Sequence, residues 1–257
     1  MNIFIYDHTF EGFLSAIYYA YYEKRKPQKI VGRELFQEDL FAEKTEIHTN
    51  TDHAKKVWNG IETKLSKAIG RKVYRVFLSE ISDIEILIYE YLKLCFEKSS
   101  AVDTDYSNKT VLEFNNIYNK VCKEGHRAIM FIRFQKTADN IYYASFEPKY
   151  DVLPMTINHF KDRFSDQKWV VYDTKRQYGF YFDLNKVCEI KINNSRVNPF
   201  TGKVNNEVLD THELDFQELW NDYFQSVNIK ERKNLKIHKQ FLPKRFWKYL
   251  TEKNYTR

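Results

Sequence analysis

Arg127-Ala-Ile-Met-Phe-Ile-Arg-Phe-Gln135, Thr137-Ala-Asp-Asn140 and Ile141-Tyr-Tyr-Ala-Ser-Phe-Glu147 follow one another in mid-chain, and their reading decides the class. Ile132 and Phe134 alternate with Arg133 and Gln135, a period of two, and the Thr-Ala-Asp-Asn cluster is turn chemistry, so the stretch predicts a β-hairpin. Downstream, Pro154 suits the first turn of a short helix through Phe164. Trp169–Asp173, Tyr178–Asp183 and Val187–Ile192 then read as further strands, with a turn at Thr174–Gln177. The expectation is an antiparallel sheet over about residues 127–192 with one inserted helix.

Towards the N-terminus the apolar period lengthens to 3.6. Asp52 is read as the cap of a helix to Ile69, with Val57, Ile61, Leu65 and Ala68 on one stripe. Asp83 opens the next, where Ile84, Leu87, Ile88, Tyr91, Leu92, Cys95 and Phe96 recur at helical spacing. Ser107 or Asn108 opens a third, with Val111, Phe114, Ile117, Tyr118 and Val121 inward. These stripes need one another and predict an N-terminal helical layer. Asn2–Tyr6 is long enough for a strand, and Thr9 can cap a helix over Glu11–Arg25. Asp7 and His8 thus stand where a strand enters a helix, a frequent place for functional side chains. No Gly-rich phosphate loop accompanies them, so a capped turn is the simpler reading.

The class expected is therefore α+β: an antiparallel sheet packed against the helical layer, with a basic C-terminal helical segment. We read residues 1–257 as one domain, with 1–125 mainly helical, 126–192 the sheet with its helix, and 207–257 a helical basic tail. Asn193–Asn206, with Asn193-Asn-Ser195, Asn198-Pro-Phe200 and Thr201-Gly-Lys203, is the most loop-like stretch.

Composition narrows the function. With 43% hydrophobic and 30% charged residues, wholesale disorder is excluded. Three cysteines without a C-x-x-C pair argue against a disulfide scaffold, a cysteine-held zinc or an iron–sulfur cluster borne by this chain. The seven histidines form no H-E-x-x-H or H-x-H, so neither a metal nor a cofactor is expected in the chain itself. Met1–Phe10 lacks a cationic stretch followed by an apolar run, and no segment has the roughly 18 apolar residues of a membrane span, so a soluble cytoplasmic protein is expected. Nineteen Tyr, 20 Phe and four Trp serve either core packing or base stacking.

Charge is unevenly placed. Residues 228–257 hold ten Lys and Arg against two Glu, whereas the whole chain has a surplus of only six. All net positive charge is therefore local to the tail, a pattern that suits phosphate neutralisation. Arg232, Lys236 and Lys239 fall on one helical face. Aromatics and cations then interleave through Phe241-Leu-Pro-Lys-Arg-Phe-Trp-Lys-Tyr-Leu250. Arg232, Lys236, Lys239, Lys244, Arg245, Trp247 and Lys248 are the candidate nucleic-acid contacts. An acidic protein groove, or a solvated basic face anchored by Phe241, Phe246, Trp247 and Leu250, fits the same pattern.

For chemistry, His159 and Arg163 stand at i, i+4 on the predicted helix, while Asp173 and Arg176 bracket a hairpin turn. Together the four would serve acid–base work or phosphate binding on a nucleic-acid substrate. A structural salt-bridge network uses the same residue types.

Several blocks resemble a bacterial family of domains of unknown function described as probable DNA metabolism proteins. They are Asn2-Ile-Phe-Ile-Tyr-Asp-His-Thr-Phe-Glu-Gly-Phe-Leu14, His126-Arg-Ala-Ile-Met-Phe-Ile-Arg-Phe134, Tyr143-Ala, Pro148, Asp151-Val-Leu-Pro154, His159-Phe and Arg163-Phe. Trp169-Val-Val-Tyr-Asp173 with Arg176 and Gly179, then Asn234-Leu-Lys236 and Leu242-Pro-Lys-Arg-Phe-Trp247, continue the order. The resemblance implies an accessory role in DNA modification or repair, beside a radical S-adenosylmethionine protein that brings its own iron–sulfur cluster and S-adenosylmethionine. Some relatives continue into a uracil-DNA-glycosylase-like domain. This sequence stops at Arg257, so that activity is not carried over. DNA and the radical enzyme are the partners expected; a nucleic-acid-processing enzyme using His159, Arg163, Asp173 and Arg176, and a protein-interaction subunit without nucleic-acid contact, are the two alternatives.

Overall fold

In the computed structural model, which describes residues 2–38, 41–98, 100–192, 197–198 and 201–254, the apolar run Asn2–Tyr6 is strand β1. Thr9 then caps helix α1 (Phe10–Tyr22): its hydroxyl accepts the Gly12 N–H at 3.0 Å and donates to Asp7 at 2.7 Å. Asp7 also accepts the Thr49 hydroxyl at 2.6 Å. Burial works to raise the Asp7 pKa, but these hydrogen bonds from Thr49 and Thr9 outweigh it and hold the carboxyl below its ordinary range. Asp7 is thus engaged in the capped turn. Thr9→Ala should cost about 1–2 kcal/mol in chemical denaturation, and Thr9→Ser should restore most of it.

β1 is the middle of a three-stranded parallel sheet, between β2 (Lys29–Gly32) and β3 (Glu43–Glu46). A middle parallel strand with both faces covered is continuously apolar, as Ile-Phe-Ile-Tyr is. Ile3 and Ile5 pack with Val31 on one face. On the other, Phe4 meets Tyr19 and Tyr6 meets Phe13 of α1.

The helical layer has one break that the periodicity concealed. Asn50, not Asp52, caps α2 (Thr51–Gly60), accepting the N–H groups of Asp52 and His53 at 2.9 and 3.0 Å. A π-helical turn, Ile61–Leu65, follows. Ser66 then caps a separate helix, α3 (Lys67–Phe77), through the Ile69 N–H at 3.1 Å. The single helix expected to Ile69 is therefore two, because a cap stands inside the apolar run. α4 is Ile84–Lys98, as its stripe predicted, and Tyr91 stacks on Phe114 at 3.7 Å between centroids.

Asn108 precedes α5 (Lys109–Phe131), accepting the Thr110 and Val111 N–H groups at 2.9 and 3.3 Å. This helix corrects the reading of residues 127–131 as strand. Its buried stripe runs Phe114, Ile117, Val121, Glu124, Ala128, and a glutamate at a core position hid the continuing period. The chain divides within α5 into two compact units, Met1–Cys122 and Lys123–Arg257.

The second unit holds a five-stranded sheet in sequence order: β4 (Gln135–Lys136), β5 (Ile141–Phe146), β6 (Lys168–Asp173), β7 (Tyr178–Phe182) and β8 (Val187–Ile190). The class is α+β. The sheet is not wholly antiparallel, however: β5 and β6 run parallel, with Tyr143 level with Val170. The cause is the inserted helix α6 (Leu153–Arg163, with Pro154 in its first turn), which acts as a crossover and returns the chain to the same end of the sheet. The other three pairings are antiparallel.

Within 193–206, Val197 bridges Val204 and Gly202 donates to the Asn198 carbonyl at 2.7 Å. Asn193-Asn-Ser195, Pro199 and Phe200 lie outside the described residues. The tail is helical as expected: α7 (Glu213–Ser226), α8 (Leu235–Phe241), a 3-10 segment Lys244–Tyr249, and α9 (Thr251–Asn254).

Candidate nucleic-acid interface

The four candidate catalytic residues separate into two kinds. Asp173 closes β6, fully buried, and its Oδ1 accepts the backbone N–H groups of Lys175 and Arg176 at 2.8 and 3.1 Å. The Arg176 guanidinium donates to its other oxygen at 2.8 Å and to the carbonyls of Pro148 and Lys149 at 3.4 and 3.3 Å. Burial raises the Asp173 pKa against the opposing pull of Arg176. Beside them the Tyr178 hydroxyl donates to Asp151, and burial first, then that carboxylate, pushes the phenol upward. This is a pinned hairpin turn. His159 and Arg163 are exposed on α6, where His159 touches Phe160 edge-on and Arg163 lies over Phe164. Among the described residues neither bonds to Asp173 or Arg176, so the geometry does not gather the four into one reacting centre.

The tail sorts its cations as well. Asn234 caps α8 by accepting the Lys236 and Ile237 N–H groups, both at 3.1 Å. His238 turns inward against Trp247, and burial together with the nearby Lys253 lowers its pKa. Arg232, Lys233, Lys236, Lys239 and Lys244 are exposed, and none has an acidic partner among the described residues. Arg245, by contrast, donates to the buried Glu124 of α5, and its guanidinium lies 4.7 Å from the Phe246 ring centre. Lys248 pairs with Glu147. Trp247 donates its indole N–H to the Leu242 carbonyl at 3.1 Å, with Lys253 over its ring. Arg245 therefore anchors the tail, together with the buried Phe246 and Leu250, while Trp247 packs within the tail itself. Phe241, expected to be an anchor, is instead 67% exposed.

Sequence reasoning passed over the apolar stripe of α7. Phe216, Leu219, Trp220, Tyr223 and Val227 recur at i, i+3, i+4, i+7 and i+11, all exposed. The 3.6 period was present in the sequence, but periodicity alone does not say which way a face turns. Here the apolar stripe points outward, against the usual rule for a surface helix.

Residues 82–252, well over half of the chain, match the model of a family described as a domain of unknown function, DUF4130. The chain belongs to that family. The DUF4130 match takes in α4, α5, the five-stranded sheet and the tail through α8 and into α9, and so covers every candidate residue above. Comparison with curated proteins and with solved structures gave no match. Among the described residues of this DUF4130 protein, no helix is long and apolar enough to cross a membrane, and no group of His, Cys, Asp and Glu could hold a metal ion. Cys95, Cys122 and Cys188 are free and sit on α4, α5 and β8.

Proposed function

We propose that this chain is a nucleic-acid-binding accessory protein of DNA metabolism that works in the cytoplasm with a radical S-adenosylmethionine partner. The observation that carries the reading is the uncompensated cationic surface of Arg232, Lys233, Lys236, Lys239 and Lys244, with Phe241 exposed among them. Cations already neutralised by protein carboxylates gain little from phosphate. Free ones release condensed counterions from DNA, which is the main sequence-independent source of affinity. The family resemblance of the sequence blocks supports DNA metabolism as the setting. The outward apolar stripe of α7 supports a protein partner, since contiguous exposed apolar patches mark interaction surfaces. The iron–sulfur chemistry belongs to that partner, and no reaction is assigned to this chain.

The test is a salt titration of duplex and single-stranded DNA binding. Four or five phosphate contacts give a log–log slope near −4, so affinity should fall by roughly 10² between 50 and 200 mM salt. Reversing Lys236 and Lys239 to Glu should weaken binding to all sequences alike and flatten the slope by about 2. Binding without salt dependence, or reversal without effect, would overturn the reading. If DNA binding is absent while the radical enzyme still associates and Leu219→Glu breaks that association, the protein-interaction reading replaces it; it is the α7 stripe that favours this second reading.

A further inference from the structure

We infer that the second unit carries a pocket for one unstacked nucleotide, lined by the inward face of α7, the Thr201–Leu209 loop and the end of the 3-10 segment. The inference rests on the nucleic-acid reading above and adds a site to it.

Helix α7 is reversed relative to an ordinary surface helix. With Phe216, Leu219, Trp220 and Tyr223 outside, the helix turns Gln217 and Asn221 towards the body of the unit. An inward polar face needs polar company or a ligand. These carboxamides line a cavity of about 670 Å³, within the size range of small-molecule sites. Asn221 is only 2% exposed. Its Nδ2 donates to the Gln217 carbonyl at 2.8 Å, and among the described residues nothing donates to its Oδ1. Gln217 spends its own Nε2 on Glu213 at 3.0 Å. Both carboxamides therefore line the cavity with their amide nitrogens already engaged, which leaves their carbonyl oxygens to accept from water or from a donor on a ligand.

The facing wall is closely built. Gly202 has φ +68°, and a Cβ there would lie 2.1 Å from the Ser145 hydroxyl oxygen. Ser145 in turn donates to the Gly202 carbonyl at 3.0 Å. Only glycine allows this loop to sit so close against β5. Tyr249 belongs to the lining, with its hydroxyl tied to Thr174 at 3.0 Å and the Lys248 ammonium 4.9 Å from its ring centre. Lys203, exposed on the rim, supplies a cation.

Carboxamides that read base edges, an aromatic ring and a rim cation are the elements that hold a nucleotide drawn out of the stack. An adjoining phosphate-binding surface is already in the chain. Lys244 and Tyr249 open and close one 3-10 segment, so at its rise of about 2 Å per residue a strand held at Lys244 lies about 10 Å from the pocket wall.

The experiment uses the full chain and a DNA duplex carrying 2-aminopurine opposite an abasic site. Wild-type protein should raise the 2-aminopurine fluorescence several-fold as the base leaves the stack, and should protect it from acrylamide. Asn221→Leu should keep DNA affinity within about twofold, because phosphate contacts dominate it, yet lose the fluorescence rise. Gln217→Met, at a less buried position, repeats the test should Asn221→Leu fail to fold. Lys236→Glu with Lys239→Glu should lose binding and fluorescence together. Salt-dependent binding with no fluorescence change, or a full change in both pocket variants, overturns the pocket and leaves the cationic surface standing. Absence of any DNA binding overturns both.

Discussion

Arg176→Ala is expected to lower folding stability by about 3–5 kcal/mol at pH 7, the cost of leaving a buried charge without its partner. Asp173 is fully buried, and among the described residues Arg176 supplies its cationic side-chain partner. The sign of the pH dependence follows from the direction of the Asp173 shift. Burial raises its folded pKa above the ordinary 3.8 although Arg176 pulls the other way. The native state therefore holds the proton more tightly than the unfolded chain, and this carboxyl's contribution to stability is lost as pH rises through its folded value. Removing Arg176 raises that value further. The deficit of the variant should thus be smallest near pH 4 and grow towards neutrality, as measured by chemical denaturation from pH 4 to 8. Asp173→Asn, which keeps an acceptor for the Lys175 and Arg176 N–H groups, should cost less and show no such growth. A deficit equal at every pH would disprove the account.

The second large effect is expected at the tail anchor. Arg245→Ala should cost about 3 kcal/mol, because Glu124 is a buried carboxylate on α5 and loses its closest cation. The figure stands at the low end because Arg127 remains 3.6 Å away and the Lys149 N–H still donates at 2.8 Å. Lys244→Ala, one residue earlier and exposed, should change stability by less than about 0.5 kcal/mol while weakening DNA binding. Adjacent basic residues with opposite profiles, one in stability and one in affinity, would separate the anchor from the contact surface. Equal effects of both substitutions on both measurements would refute that separation.

Much of the architecture was legible because local rules governed it. The apolar run of β1, the Thr9 cap, the α4 stripe and the proline in the first turn of α6 each follow from a few neighbouring residues. The errors arose where distant partners decide. Glu124 occupies a core position of α5, and the arginine that permits this is 121 residues further on, so a continuous helix looked finished before Arg127. Lys248 likewise finds Glu147 across 101 residues, and no spacing rule could remove it or Arg245 from the free cations. The surplus of charge in the tail was plain in the sequence; its division between anchors and open surface was not. The parallel pairing of β5 with β6 was accessible in principle, since a helix read between two neighbouring strands is a crossover. At the candidate site, the i, i+4 spacing put His159 and Arg163 on one face of α6 but could not aim that face at Asp173.

The outward face of α7 bears on how the protein can be kept and handled. Aromatic and aliphatic side chains in one exposed row are what chaperones and proteases recognise in incomplete assemblies. A copy synthesised in excess of whatever covers Phe216, Leu219 and Tyr223 would be sticky in concentrated solution and short-lived in a cell. Abundance would then follow that of the covering molecule without any dedicated regulator, and co-expression, rather than a change of buffer, would be the way to a well-behaved preparation.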